Sequence, residues 1–322
     1  MSPFAADPAS PDAAAGPEVS PWPVEAVHLP GCTLSVRSAP DRTGGQQVST
    51  TDLEAAVMVH GLGGSSLNWT DLMALLADRV ASRAPDLPGF GYSPPPDDGD
   101  YSIAGHARSV VSLIEHDGTG PVHLFGNSLG GSVAVTVAST RPDLVRTLTL
   151  ISPALPDYRP GRWRSEVALL ALPGVGQLLS RRLADMSAHQ RVEGLLKLVY
   201  ADPSSVSTER FAQAVVEVER RAALPYAVDA MAASTRGLVH SFLATGTRAP
   251  WARAAQVSAP TLLMYGREDK LVSSRVAPKA KAAFPDSTVV VLPNTGHVAQ
   301  MEHPELVARF VRSHLDQSAN RA

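Results

Sequence analysis

Short apolar runs alternate with longer amphipathic segments along most of the chain. The longer segments carry apolar residues at helical spacing, as at Trp69, Leu72 and Leu76. The apolar runs predict strands at residues 24–29, 32–37, 55–59, 80–84, 122–125, 146–151, 260–265 and 287–292. The amphipathic segments predict helices at residues 68–79, 101–115, 132–138, 274–284 and 303–315. Strands alternating with helices predict an α/β fold whose mostly parallel sheet is covered by helices on both faces.

The alternation stops between residues 153 and 258. This stretch carries no convincing strand, and its longest helical pattern runs from residue 209 to residue 231. We interpret residues 153–258 as a helical insertion in a core formed by residues 22–152 and 259–316. Because parallel strands end at one edge of the sheet, we expect the residues that follow the core strands to meet there.

Composition and charge restrict the kinds of molecule that this protein is expected to bind. The 322 residues carry a net charge of −3, which does not suggest nucleic acid or an anionic membrane surface. No apolar run approaches the ~18 residues of a membrane-spanning helix. Residues 1–21 are rich in Ala, Pro and Ser and lack the features of a secretory signal, so they predict a disordered tail. We therefore expect a cytoplasmic protein.

The single cysteine, Cys32, excludes an internal disulfide and a cysteine-based metal cluster. It begins a predicted strand, and we interpret it as a small structural residue. The chemistry proposed below needs no metal and no cofactor.

The sequence Val-His-Leu-Phe-Gly-Asn-Ser-Leu-Gly-Gly at residues 122–131 places a serine between a predicted strand and a predicted helix. This is the G-x-S-x-G pattern in the context that gives it chemical meaning, because a sharp turn there exposes the hydroxyl of Ser128. Gly126 and Gly130 keep Cβ atoms out of the crowded corner. The pattern predicts that Ser128 is a nucleophile; the alternative is a glycine-rich turn with a surface serine.

Two further groups follow the last two predicted strands, Asp269 after residue 265 and His297 after residue 292. A serine hydroxyl needs an imidazole to remove its proton, and the imidazole needs a carboxylate on its other nitrogen. The order Ser128, Asp269, His297 is the one expected of hydrolases with such a turn. Glu268 is an alternative acid, and each group alone could be an ordinary loop or capping residue.

An oxyanion hole requires two backbone N–H donors. Leu129 follows the nucleophile and supplies one of them. The second donor should come from the loop His-Gly-Leu-Gly-Gly at residues 60–64, where we expect Leu62, with Gly63 as the alternative. We interpret His60 as forming a structural hydrogen bond.

A substrate pocket should surround these groups. The predicted pocket residues are Gly61, Gly63, Asn68, Trp69, Phe90 and Asn127, although ordinary packing explains Trp69 equally well. Apolar runs at residues 167–172 and 178–179 favour hydrophobic substrates if they face the cleft.

Four motifs together resemble the α/β-hydrolase superfamily, in particular its lid-bearing branch of esterases, lipases and meta-cleavage C–C hydrolases. They are HGLGGSSLNW at 60–69, DLPGFGYS at 86–93, GNSLGG at 126–131, and GREDKLV with NTGHVAQMEHP near the end. The resemblance implies an eight-stranded sheet with one antiparallel strand near the start and a helical cap after strand 6, at residues 153–258. It also places Ser128, Asp269 and His297 on the triad positions.

The resemblance also distinguishes between reactions. Haloalkane dehalogenases and epoxide hydrolases carry an aspartate nucleophile, which Ser128 argues against. C–C hydrolases usually carry G-x-G-P-G in the first loop, where this chain has Gly-Leu-Gly-Gly-Ser at residues 61–65. Our hypothesis is hydrolysis of a small-molecule carboxylic ester or related carbonyl compound. The alternatives are C–C bond hydrolysis and a catalytically silent, ligand-binding member of the superfamily.

Overall fold

The fold is described by a computed structural model that covers residues 22–39, 53–157 and 186–320. Eight strands of these residues form one sheet. They are β1 (Val24–Leu29), β2 (Cys32–Ser38), β3 (Glu54–Val59), β4 (Val80–Pro85), β5 (Val122–Asn127), β6 (Val145–Ile151), β7 (Thr261–Gly266) and β8 (Ser287–Leu292). All eight predicted strands are present within one or two residues of the expected bounds.

The strand order in the sheet is β1-β2-β4-β3-β5-β6-β7-β8. Strand β2 pairs antiparallel with both β1 and β4, and all other neighbouring strands pair parallel. The predicted α/β class and eight-stranded, mostly parallel sheet are confirmed. Since β3, β5, β6, β7 and β8 run in one direction, the loops that follow them share one edge of the sheet.

Helices pack on both faces of the sheet and over its carboxyl edge. They are α1 (Thr70–Leu76), α2 (Ile103–Asp117), α3 (Leu129–Thr140), α4 (Ala188–Val199), α5 (Thr208–Ala222), α6 (Ala227–Leu243), α7 (Pro250–Ala254), α8 (Ala277–Ala283), α9 (Ala299–Glu302) and α10 (Pro304–Ala319). The side chain of Ser102 accepts a hydrogen bond from the N–H of Gly105 and so caps α2.

The two faces of the sheet form separate apolar cores because successive strand residues point to opposite sides. In β3, Val57 and Val59 belong to the core under α2 and α3, whereas Ala56 and Met58 belong to the core under α1 and α10. Such full burial on both sides explains why the central strands are continuous apolar runs.

The described residues between β6 and β7 form helices and no strand. The single helix expected at residues 209–231 is wrong, because α5 ends at Ala222 and α6 begins at Ala227. Pro225 lies in the gap, and proline removes a helical N–H and restricts the residue before it. We refer to α4, α5 and α6 as the cap helices.

Several predictions fall on residues outside the described ranges. They concern the tail at residues 1–21 and the apolar runs at 167–172 and 178–179. Within the described ranges, no helix combines the length and the apolar character that crossing a membrane requires.

Buried histidines connect the core to its surroundings. His106 on α2 is fully buried, and its Nε2 lies 3.1 Å from the Ser234 hydroxyl on cap helix α6. Burial, with the neighbouring His60, lowers the pKa of His106 to about 3. Burial also lowers the pKa values of His60 and His123. His106 is therefore neutral in the folded protein down to about pH 3.

This burial predicts a loss of stability in acid. Below pH 6.5 the unfolded chain binds a proton at His106 that the folded chain does not bind until about pH 3, so stability falls as the pH falls between these values. We expect the His106→Gln substitution to make the free energy of unfolding less dependent on pH. Between pH 6 and pH 4 the slope of this free energy against pH should fall by up to about 1.4 kcal/mol per pH unit.

Urea titrations at several pH values would measure this slope. The exposed His28, changed to Gln, is the control and should leave the slope as in the wild type. Equal slopes for His106→Gln and the wild type would contradict the lowered pKa of His106 in the folded protein.

Candidate active site

Ser128 stands at the turn between β5 and α3 in a strained backbone conformation. Its φ of 54° and ψ of −117° lie in a region that non-glycine residues rarely adopt, at a cost of about 1–3 kcal/mol. A Cβ on Gly126 would lie 2.4 Å from the carbonyl oxygen of Gly130. A Cβ on Gly130 would lie 2.2 Å from the carbonyl oxygen of Val59. Only glycine fits at these two positions, which lets α3 pack tightly against the ends of β3 and β5.

Asp269 and His297 form a hydrogen-bonded pair at the ends of β7 and β8. Their Oδ2 and Nδ1 atoms lie 2.8 Å apart, and the Asp269 carboxylate is fully buried. The other oxygen of Asp269 accepts N–H groups from Leu271 at 2.8 Å and Val272 at 2.9 Å. Burial opposes the charge on Asp269, but His297 and these N–H donors hold its pKa below the usual value. The turn that Asp269 caps therefore also orients its carboxylate.

Glu268, the alternative acid, has other partners. Its Oε2 accepts the N–H of Thr295 at 3.0 Å, and its own N–H donates to the Thr295 carbonyl at 3.0 Å. Glu268 thus joins the loop after β7 to the loop after β8, while Asp269 contacts the imidazole.

The directions of the Leu62 and Leu129 N–H groups are set by the carbonyls that share their peptide units, those of Gly61 and Ser128. The carbonyl of Gly61 accepts the N–H of Gly64 at 2.9 Å and lies 2.7 Å from Nδ1 of His60. The carbonyl of Ser128 accepts three N–H groups, from Gly131, Ser132 and Ala154, at 2.9–3.2 Å.

In a trans peptide the C=O and the N–H point in opposite directions. Since both carbonyls are held by donors within the protein, the N–H groups of Leu62 and Leu129 are directed the other way. Neither N–H has an acceptor among the residues that the structure describes. Leu62 and Ser128 line one cavity, so the two N–H groups can serve an oxyanion there.

His60 holds the loop that carries Leu62. Its Nε2 accepts the N–H of Leu87 at 2.9 Å, so Nδ1 carries the proton and donates to the carbonyl of Gly61. His60 is fully buried and its pKa is lowered by that burial. The imidazole thus ties residues 60–64 to the loop after β4, in agreement with the structural interpretation.

Asn127 connects the turn at Ser128 to the loop that carries His297. Its buried side-chain amide donates to the carbonyl of Ile151 at 3.0 Å and to the carbonyl of His297 at 3.1 Å. We interpret these bonds as fixing the backbone of His297 relative to Ser128.

A cavity of about 880 Å³ lies between the carboxyl edge of the sheet and the cap helices. Ser128, Asp269 and His297 line it. Its apolar wall comes mainly from the cap and from the segment after β6. Members of that wall are Leu155, Leu196, Val199, Val218, Met231, Leu238, Val239 and Phe242.

Four of the six predicted pocket residues line this cavity, namely Gly61, Gly63, Asn68 and Asn127. Trp69 and Phe90 do not. Trp69 is fully buried and meets Phe125 edge to face in the core under α1. Phe90 packs against His60 and belongs to the opposite core. Both aromatic side chains turn inward because their loops bury them against the sheet, which corrects the sequence-based expectation.

Arg221 on cap helix α5 was not predicted. Its guanidinium lines the cavity and donates to the carbonyl of Gly63, at 2.5 Å. Burial lowers its pKa, and no carboxylate lies at ion-pair distance from it within the described ranges. A lone arginine in a helical stretch carries no motif, so the sequence offers no signal for this position.

The chain matches the family model of the alpha/beta hydrolase fold over residues 56–304. It is 31% identical over 258 residues to 2-(acetamidomethylene)succinate hydrolase of Mesorhizobium japonicum, covering 80% of this chain and 86% of that one. Haloalkane dehalogenase 2 of Mycobacterium tuberculosis is 28% identical over 263 residues, which are 79% of this chain and 85% of that protein.

A third relative is longer than this chain. The dihydrolipoyllysine-residue acetyltransferase component of the acetoin cleaving system of Cupriavidus necator is 28% identical over 266 residues. The match covers 81% of this chain and 63% of that protein. Among solved structures, a membrane phospholipase A described as a bacterial virulence factor has the same fold, with a TM-score of 0.72 and 23% identity. That match covers 94% of this chain and 88% of the other.

A fluorophosphonate probe, which reacts with activated serines, can test whether Asp269 or Glu268 acts together with His297. The Asp269→Asn variant should react about 10³- to 10⁴-fold more slowly, because the wrong tautomer of His297 then faces Ser128. The Glu268→Gln variant should react within about threefold of the wild-type rate, since its carboxylate contacts only backbone. The reverse order of rates would assign the acid to Glu268.

Proposed function

The chain belongs to the alpha/beta hydrolase fold family, and we propose that it hydrolyses carboxylic esters through an acyl-enzyme on Ser128. The observation that carries this proposal is one cavity lined by Ser128, Leu62 and the hydrogen-bonded pair Asp269–His297. The nucleophile, the base and an oxyanion donor thus face the same space.

Acylation begins at the Ser128 hydroxyl. Nε2 of His297 takes the proton while Oγ attacks the carbonyl carbon of the ester. The charge that develops on the carbonyl oxygen is held by the N–H groups of Leu62 and Leu129. The tetrahedral intermediate then loses the alcohol, which receives its proton from Nε2 of His297, and the acyl group stays on Oγ.

Deacylation uses the same groups in reverse. His297 removes a proton from water, the hydroxide attacks the acyl carbon, and the proton returns to Oγ of Ser128 as the acid leaves. In both steps Asp269 accepts the Nδ1 proton of His297 in a hydrogen bond. Its lowered pKa keeps it ionised, so it stabilises the imidazolium that forms.

The cavity wall suggests the kind of substrate. Its apolar side chains come mainly from the cap and from the segment after β6, and burial of an alkyl or aryl group against them is favourable. We therefore propose esters with a hydrophobic acyl or alcohol part as substrates.

The proposal predicts the outcome of one substitution. Ser128→Ala should lower the hydrolysis of p-nitrophenyl esters of several chain lengths by at least about 10⁴-fold, because it removes the attacking oxygen. The control is Ser139→Ala, which lies at the far end of helix α3 from Ser128. This variant should hydrolyse these esters at the wild-type rate. Undiminished turnover by Ser128→Ala would reject the nucleophile. A wild-type protein that neither hydrolyses esters nor reacts with fluorophosphonate would instead be a ligand-binding member of the family.

A second candidate is hydrolysis of a substrate that carries a carboxylate, including C–C bond hydrolysis. Arg221 supports it, because a buried guanidinium with no carboxylate at ion-pair distance among the described residues can pair with a substrate anion. The relative from Mesorhizobium japonicum is named as the hydrolase of a substituted succinate, which is a dicarboxylate.

The two candidates differ in what Arg221 should do. If the substrate is acidic, Arg221→Met should lower kcat/KM for carboxylate-bearing esters about 10- to 100-fold more than for matched neutral esters. The ratio of the two values is the measurement, because loosening of the Gly63 carbonyl would affect both esters alike. An unchanged ratio would remove the support for an acidic substrate.

A further inference from the structure

The backbone of His297 is attached directly to the cap. Its N–H donates to the carbonyl of Val199 at 2.7 Å, at the end of cap helix α4. The last carbonyls of a helix have no partner within the helix and need donors from elsewhere. One of these donors is the backbone N–H of His297, the residue whose imidazole is the candidate base. A hydrogen bond therefore joins the end of α4 to the loop after β8.

The residues on either side of His297 also contact the cap. A Cβ on Gly296 would lie 2.4 Å from the carbonyl oxygen of Val199 and 2.7 Å from the nitrogen of Ala201, so the two backbones are in direct contact. On the other side, Val298 packs in an apolar cluster that otherwise belongs largely to the cap. Buried members of that cluster are Val192, Leu196, Tyr200 and Val215.

Glu302, at the end of α9, joins the two backbones through its carboxylate. Its Oε2 accepts the N–H of Gly296 at 2.6 Å. Its Oε1 accepts the N–H groups of Ala201 at 2.9 Å and Asp202 at 3.0 Å, directly after cap helix α4. One carboxylate thus satisfies three backbone donors from two parts of the chain, and hydrogen bonds to an ionised acceptor are the stronger kind.

We propose that Glu302 is a positioning residue that fixes the loop bearing His297 to the cap, so that the base is correctly placed only when α4 is docked. The inference rests on the proposed role of His297 as general base. Glu302 touches no reacting atom and acts through the backbone of residues 296 and 297. A displacement of about 1 Å in a catalytic group can lower a rate 100-fold, so such an anchor affects turnover.

Substitutions at Glu302 separate this role from simple stability. Glu302→Gln keeps the size but has one oxygen, so in either orientation its NH₂ group faces N–H donors of Gly296 or of Ala201 and Asp202. Glu302→Asp keeps both oxygens on a shorter side chain. Glu305→Gln is the matched control, because Glu305 is an exposed glutamate three positions further on.

Two measurements test the proposal. For Glu302→Gln, kcat for a p-nitrophenyl ester should fall about 10- to 100-fold with KM within about threefold, because the base is misplaced while the cavity remains. Glu302→Asp should recover part of this loss, and Glu305→Gln should behave as the wild type. Hydrogen exchange followed by mass spectrometry should show faster exchange in Glu302→Gln for peptides covering residues 199–203 and 294–302, with strand β5 unchanged.

The exchange measurement does not depend on activity. If the wild-type protein hydrolyses no ester, the proposed function fails, but faster exchange in both peptides still supports the attachment of the loop to the cap. Wild-type exchange in both peptides, or a Glu302→Gln variant with wild-type kcat, would overturn the positioning role.

Discussion

The strained turn at Ser128 is the constraint on which the arrangement of the site depends. Its carbonyl accepts three N–H groups, which hold the backbone in a conformation that a serine would otherwise avoid. The same turn brings Gly130 so close to the end of β3 that no side chain fits there. The serine, the first N–H of α3 and the loop after β3 are therefore placed by one packing arrangement, which also positions the two candidate oxyanion donors.

Buried polar groups then make the surrounding loops rigid. His60 joins residues 60–64 to the loop after β4, and the carboxylate of Asp86 accepts N–H groups from Ser66 at 2.6 Å and Tyr92 at 2.9 Å. Burying such groups is unfavourable unless they are hydrogen-bonded, and here the bonds from Leu87 to His60 and from Ser66 to Asp86 join separate loops. Loops that would otherwise vary in conformation are thereby held at the edge of the sheet.

The candidate triad and most of the apolar cavity wall come from different parts of the fold. Loops of the core carry the candidate triad, whereas the cap supplies most of the apolar wall and the guanidinium of Arg221. Relatives named as a hydrolase, a dehalogenase and an acetyltransferase component are 28–31% identical to this chain over 258–266 residues, so the fold alone does not specify the reaction. In our proposal the cap also contributes to catalysis, because it anchors the loop of His297.

The sequence by itself determined the sheet, its flanking helices and the positions of Ser128, Asp269 and His297 at strand ends. These features depend on local patterns, since apolar periodicity and glycine spacing act between residues that are neighbours in the chain. The break at Pro225 was also present in the sequence and was missed. Tertiary structure placed Trp69 and Phe90 in the cores, which the sequence did not predict, and it put Asp269, the acid that the sequence favoured, beside the imidazole. It also brought Arg221 and Glu302 to the site, because these contacts join segments far apart in the chain and arise only when the chain folds.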